Sequence, residues 1–209
     1  MLTITTYDWV PDMAKGYVRD LRIRWACHEA GLPYRIESTS LSGKTPQHFA
    51  RQPFGQVPML RDGDLSIFES GAILLYLGER HPALMPEGAA DRVKAQQWLI
   101  AALNTLEPPA MMLAMARWIK QDPAAEGIVL PWLHDRLGQL ETVLQGREFI
   151  AADRFTVADI LMADILRIVD GLGEIAPYPG LKAYQDRITA RPAFQQALAE
   201  QLAHFAQAA

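Results

Sequence analysis

Cysteine is almost missing from this chain: its 209 residues hold one, Cys27. A disulfide framework and a cysteine-based zinc site are thereby excluded, and a reducing, cytoplasmic setting is the default expectation. The five histidines are scattered without metal-ligand spacing, so no metal is expected. Positive charge is scarce as well. A formal net charge of −4 argues against a nucleic-acid partner, which calls for a basic face, and no block of like charge marks a disordered tail. The opening MLTITTYDW has neither a basic n-region nor an apolar h-region, so no secretory signal is expected. The longest apolar stretches are broken by Glu, Lys, Arg or Pro, so no membrane span is expected either. What is present is a chain that is 50% hydrophobic with charges of both signs, enough for one large or two modest globular domains.

The first eighty residues mix strand and helix signals. LTITTYDW alternates and is β-branched, as a strand is. VRDLRIRWACHEAG aligns Leu21, Trp25 and His28, and Gly31 ends it as a helix C-cap. YRIEST reads as a second strand. VPML and LSIF flank Asp62–Gly63, a strong hairpin turn, and ESGAILLYLGER reads as a helix. A βαβ unit followed by ββα makes a small α/β sandwich over residues 1–80. The proline-rich, aperiodic stretch at 81–88 reads as a linker. From 89 to 209 the strand signals vanish and helical spacing takes over, an all-α half in which Pro108–Pro109 is expected to break or kink the first long helix. There FTVADI carries a local start signal, with Thr156 as N-cap, Asp159 three residues on, and Phe155 and Ile160 placed as a hydrophobic staple. It nucleates a buried helix and carries no chemistry.

FGQVPML sets a proline into a short apolar strand. Proline has no N–H for a ladder, so Pro58 marks a turn, an edge strand, or a cis bond that turns the Val57 amide toward a ligand. Taken with FESGAILLYL, FTVADILMAD and the α/β-then-all-α order, the chain resembles the cytosolic glutathione transferases, of bacterial type, over essentially its whole length. That resemblance implies a thioredoxin-like domain followed by an all-helical domain, with glutathione as co-substrate and a homodimer. It implies that Pro58 is cis and that Val57 pairs with the cysteinyl part of glutathione through its main chain. It places Glu69 and Ser70 on the γ-glutamyl end. The chemistry agrees: Glu69 suits an ammonium, while Ser70 and a helix N-terminus suit a carboxylate. Lys44 and Gln56 are further matches in the loops around this site.

The reaction so implied is attack of the glutathione thiolate on a small hydrophobic electrophile. A thiol with a pKa of about 8.5 is mostly protonated at neutral pH, so a protein group must stabilise the anion. The family uses a Tyr or Ser hydroxyl at the end of the first strand or the start of the first helix, or a Cys for redox chemistry. Here the connection YDWVPDMAKGYVRD is longer than the family pattern and holds no Ser. Counting back from GLPY gives Tyr17 and counting forward along the strand gives Tyr7. Tyr17 is the first choice, because it falls near the helix N-terminus, whose dipole favours an anion. Arg19 and Arg22 are placed to support the anion, against the ordinary reading of arginines on an exposed helical face as solvated, and Cys27 reads as a small buried hydrophobe. Met111, Met112, Met115 and Trp118 form an apolar stripe that suits an electrophile pocket, or equally core or dimer contact. An isomerase, dehalogenase or peroxidase on the same fold, or a non-catalytic glutathione-binding module, are the alternative readings.

Overall fold

In the computed structural model, which describes residues 1–207, the β-branched opening stretch forms β1 (Leu2–Tyr7). α1 (Asp20–Ala30) follows and ends on Gly31, whose φ of 65° lets its N–H reach back to the Cys27 and His28 carbonyls. β2 (Tyr34–Thr39) lies parallel to β1, the register that a strand–helix–strand crossover permits. β3 (Met59–Asp62) and β4 (Leu65–Phe68) form the hairpin around Gly63, and β3 pairs antiparallel to β1. The sheet order is β2-β1-β3-β4. A short helix, α2 (Pro46–Arg51), interrupts the β2-to-β3 connection; Thr45 caps it by accepting from the His48 N–H. α3 (Ser70–Gly78) completes the βαβ–ββα order of a thioredoxin-like domain.

Ile4, Leu21, Ile23, Trp25, Leu60, Ile73, Leu74 and Leu77 are buried to 1% exposure or less. Each such side chain contributes about 1.5–3 kcal/mol on burial. α1 is buried from Asp20 through Cys27 with no exposed face, because the chain's last helix covers its outer side. That helix, α9 (Pro192–Ala206), packs Phe194 edge-on against Trp25 at 4.7 Å, and Arg191 grips Glu29 with two bonds of 2.6 and 2.7 Å. Contacts therefore divide the chain into one unit made of Met1–Leu84 with the segment from Arg191, and a second, Met85–Ala190. Sequence patterning had assigned everything after residue 89 to the helical half. The outer face of α1, with its Trp and buried charges, needs cover, and α9 supplies it.

The second unit is helical: α4 (Ala89–Ala101), α5 (Glu107–Ala114), α6 (Pro123–Leu144), α7 (Val157–Gly171) and α8 (Pro179–Thr189). Pro108–Pro109 does not break the first long helix, which runs on from Ala89 to Lys120. It widens instead into π-helical turns at Ala102–Leu106 and Met115–Lys120. A proline ring crowds the carbonyl four residues back, here those of Asn104 and Thr105, and both lie in the first widened turn, where the wider spacing relieves the clash. By length and composition this helix could cross a membrane, yet half of its apolar window is buried inside its own unit, as a core helix is. α7 is the most buried helix. Asp159 accepts from the N–H groups of Thr156 and Ile150, both at 2.9 Å, and from Tyr184 Oη at 2.8 Å, while Phe155 and Ile160 are buried beside it.

Candidate functional site

The loop before β3 is built around two buried polar side chains. Gln52 accepts the Phe54 N–H at 2.6 Å through Oε1, and its carbonyl accepts from the Gly55 N–H at 3.0 Å. Gly55 sits at φ +67°, and a Cβ there would meet the Phe49 ring at 3.0 Å and Lys44 Cδ at 3.4 Å, so this close turn requires glycine. His48 Nε2 bonds the Gln56 carbonyl at 3.1 Å and Nδ1 lies 3.3 Å from Thr39 Oγ1. A carbonyl only accepts, so Nε2 carries the proton and Nδ1 accepts from the Thr39 hydroxyl. Burial above all, with the Lys44 and Arg51 charges behind it, pushes the His48 pKa down, against the pull of the Gln56 bond, and keeps the ring neutral. The Val57–Pro58 bond that follows is cis. Val57 is buried, and no hydrogen bond joins its main chain to a described residue. Gln56 itself is exposed, positioned through its carbonyl.

Two residues past β4, α3 begins on a strained step. Glu69, an exposed residue, is held at φ 71°, a region that disfavours any side chain. No side chain caps this helix, so the first-turn N–H groups lack a side-chain acceptor. Ser70 is buried, and Arg22 Nη1 donates to its Oγ at 3.2 Å. Here the structure corrects the sequence reading. Arg22 is 0% exposed rather than solvated, because α1 is enclosed on every side. Nothing local in the sequence marks an arginine as buried when it stands one turn from a second arginine and two residues from an aspartate.

Tyr7 closes β1, half-buried. Burial raises its phenol pKa, which the Arg19 charge partly offsets, so the hydroxyl keeps its proton at neutral pH. Lys44 Nζ lies 4.9 Å from the centre of the Tyr7 ring, within cation–π range, and also donates to the Leu41 carbonyl at 2.7 Å. Past Tyr7 the connection coils through a 3-10 turn, Asp12–Ala14. Tyr17 follows, half-buried, with its N–H on the Ala14 carbonyl at 3.0 Å, three residues before α1 starts. Cys27 is buried in α1 and its thiol is pushed up to about 12 by burial, so it supplies no thiolate. Among the described residues no three His, Cys, Asp or Glu side chains gather into a metal site.

In the helical unit Met111, Met112 and Met115 line one cavity of about 260 Å³ with Ala116, Lys120, Asp122, Ala125 and Val129. Trp118 is not among its walls. The π-helical turn at Met115–Lys120 changes the helical spacing on which the i, i+4, i+7 stripe depended.

A thioredoxin-like domain bearing a cis Val–Pro and a strained Glu–Ser helix start, joined to a helical domain, defines a recognisable class of protein. The description "Glutathione S-transferase, N-terminal domain" matches residues 3–79, and "Glutathione S-transferase, C-terminal domain" matches residues 106–192. Glutathione S-transferase 3 of Zea mays is 30% identical over 196 residues, 86% of this chain and 88% of that protein. The chain belongs to the glutathione S-transferase family. Two solved structures share its fold. Glutathione transferase F7 from Populus trichocarpa superposes with a TM-score of 0.84 at 21% identity, covering 97% of this chain and 99% of that one. A family member from Pseudomonas fluorescens pf-5, with two glutathione bound, superposes with a TM-score of 0.81 at 24% identity, covering 94% and 92%.

Proposed function

We propose that the chain is a glutathione transferase that binds glutathione on its first unit and holds the thiol as a thiolate for attack on a small hydrophobic electrophile. The observation that carries this reading is Glu69 at φ 71° on an uncapped helix start, beside a buried Ser70. Backbone strain of this kind costs about 1–3 kcal/mol and persists where a ligand clamp requires it. Glu69 takes the γ-glutamyl ammonium, and Ser70 Oγ with the first N–H groups of α3 takes its carboxylate. The unpaired Val57 main chain, at the cis Val57–Pro58 step, pairs with the cysteinyl unit as an added strand does. Lys44 and Gln56 flank the remaining end of the tripeptide. The hydroxyl of Tyr17 or Tyr7 donates to the sulfur. A C–S bond then forms, the electrophile's leaving group departs with its electron pair, and the thiol proton is lost to solvent.

Met111, Met112, Met115 and Trp118 belong to the same reading as the electrophile's apolar surface in the helical unit. A cytoplasmic homodimer completes it, supported by the 70% exposure of Phe54 in the single chain. Calorimetry with glutathione and turnover of a chlorodinitrobenzene-type substrate test the proposal. Saturable binding with conjugation is the expected result; no binding at millimolar glutathione overturns it.

A further inference from the structure

The connection that carries Tyr7 and Tyr17 is tied at both ends to the same face of α9. At one end His204 Nε2 donates to the Tyr7 carbonyl at 2.9 Å. At the other, Gln201 Nε2 donates to the Val18 carbonyl at 2.9 Å and to Asp20 Oδ1 at 2.6 Å. Gln201 and His204 are three residues apart on a helix and so lie on one side of it. Between those ends Asp8 N–H reaches the Thr39 carbonyl at 2.9 Å, Val10 is buried, and local turns join Ala14 N–H to Pro11, Lys15 to Asp12 and Tyr17 to Ala14. One-turn contacts shape a loop but do not locate it; the α9 bonds at its two ends add long-range anchors to those of Asp8 and Val10.

The chemistry of the grip is unusual for a helix–helix seam. Gln201 and Asp20 are both 0% exposed, and the second Asp20 oxygen takes Arg24 Nε at 2.7 Å. Burying such groups costs free energy unless they are hydrogen-bonded, and apolar residues of equal volume often stabilise a seam as well or better. What the polar set adds is direction, since each donor holds one main-chain carbonyl at one place. We propose that Gln201 and His204 are positioning residues of the thiolate site, fixing the backbone beside Tyr7 and Tyr17 so that a tyrosine hydroxyl meets the glutathione sulfur. This rests on the reading that the first unit binds glutathione. A misplacement of about 1 Å at a reacting group can cost on the order of 10²-fold in rate, so two distant side chains can govern chemistry that they do not touch.

The test uses the full chain with Gln201→Leu, His204→Leu and His204→Gln, the last keeping an N–H donor for the Tyr7 carbonyl. The readouts are glutathione affinity by calorimetry, the pKa of the bound thiol from thiolate absorbance, kcat and KM, and thermal unfolding. Both leucine variants should raise the bound-thiol pKa by about one unit and lower kcat about tenfold at neutral pH. Glutathione affinity should stay within about twofold, and His204→Gln should retain the unsubstituted values. Leucine variants that lose stability while the thiol pKa and kcat stay unmoved overturn the positioning role alone. If Gln201→Leu does not fold, the His204 pair decides. Failure of the unsubstituted chain to bind glutathione overturns both this inference and the reading beneath it.

Discussion

Arg22 Nη1 donates to Ser70 Oγ across 3.2 Å, and both side chains are buried. Because the guanidinium can only donate, the Ser70 oxygen spends a lone pair on it and keeps its own O–H free to donate elsewhere. A charged donor behind the hydroxyl makes it a better partner for an anion. Ser70→Ala is therefore expected to weaken glutathione binding about tenfold and to destabilise the fold by about 1–3 kcal/mol, since Arg22 loses an acceptor. Calorimetry and chemical denaturation measure the two effects; unchanged affinity would remove Ser70 from the site.

The tyrosines separate by single-atom deletion. Removing one preorganised donor from a developing anion costs on the order of 10²-fold in kcat, and Phe keeps the ring. Whichever of Tyr7→Phe and Tyr17→Phe removes the thiol's donor should raise the bound-thiol pKa and lower kcat by that amount, while the other stays near the parent. Two silent variants would refute tyrosine activation and leave the binding site standing.

His48 makes stability depend on pH. Its folded-state pKa lies below the ordinary value, from burial first and then the Lys44 and Arg51 charges. As pH falls through about 6.5 the unfolded chain takes up a proton that the folded ring refuses. The stabilisation is thus complete above that pH and is lost as pH falls toward the folded value. His48→Gln keeps an N–H donor for the Gln56 carbonyl and does not titrate, so its thermal midpoint should fall less steeply below pH 6.5 than the parent's. Parallel curves for the two proteins would contradict this.

Asp159 holds the start of α7 by accepting three bonds of 2.8–2.9 Å from Thr156, Ile150 and Tyr184. Asp159→Ala removes the reciprocal half of the capping box and leaves buried donors unpaired, a loss of about 2–4 kcal/mol. Thermal unfolding should show it, while the glutathione affinity of the remaining folded protein stays close to that of the parent.

Met111 belongs to the proposed electrophile surface rather than to the proposed glutathione site. Met111→Ala is expected to raise KM several-fold for a hydrophobic electrophile and to leave the calorimetric glutathione affinity alone. A shift in both, or in neither, would take the methionine cavity out of the substrate reading.

The features legible in the sequence are those set by neighbours a few residues apart. Gly31 ends α1, Asp62–Gly63 turns the hairpin, and Thr156 with Asp159 starts α7, because each rests on local dihedral preference or on a bond three residues long. α2 was missed, though Thr45–Pro46 is a cap followed by proline at the first helical position. α9 lies within the stretch that reads as helical, but its membership of the first unit is not legible locally. Arg191–Pro192 signals its start, but the buried Gln201 interrupts the apolar line of Phe194, Ala197 and Phe205.

By itself the sequence determined the two-part order of the fold, the Val–Pro and Glu–Ser motifs and the local starts and stops, since short-range sterics and hydrogen bonding decide these. Tertiary structure decided that Arg22 is buried behind Ser70, that the helix at Pro108–Pro109 widens rather than breaks, and that α9 returns to grip both ends of the tyrosine-bearing connection. Those outcomes depend on which distant surface covers which, and burial reverses the ordinary preference of a charged or amide side chain once its partners are supplied from far along the chain.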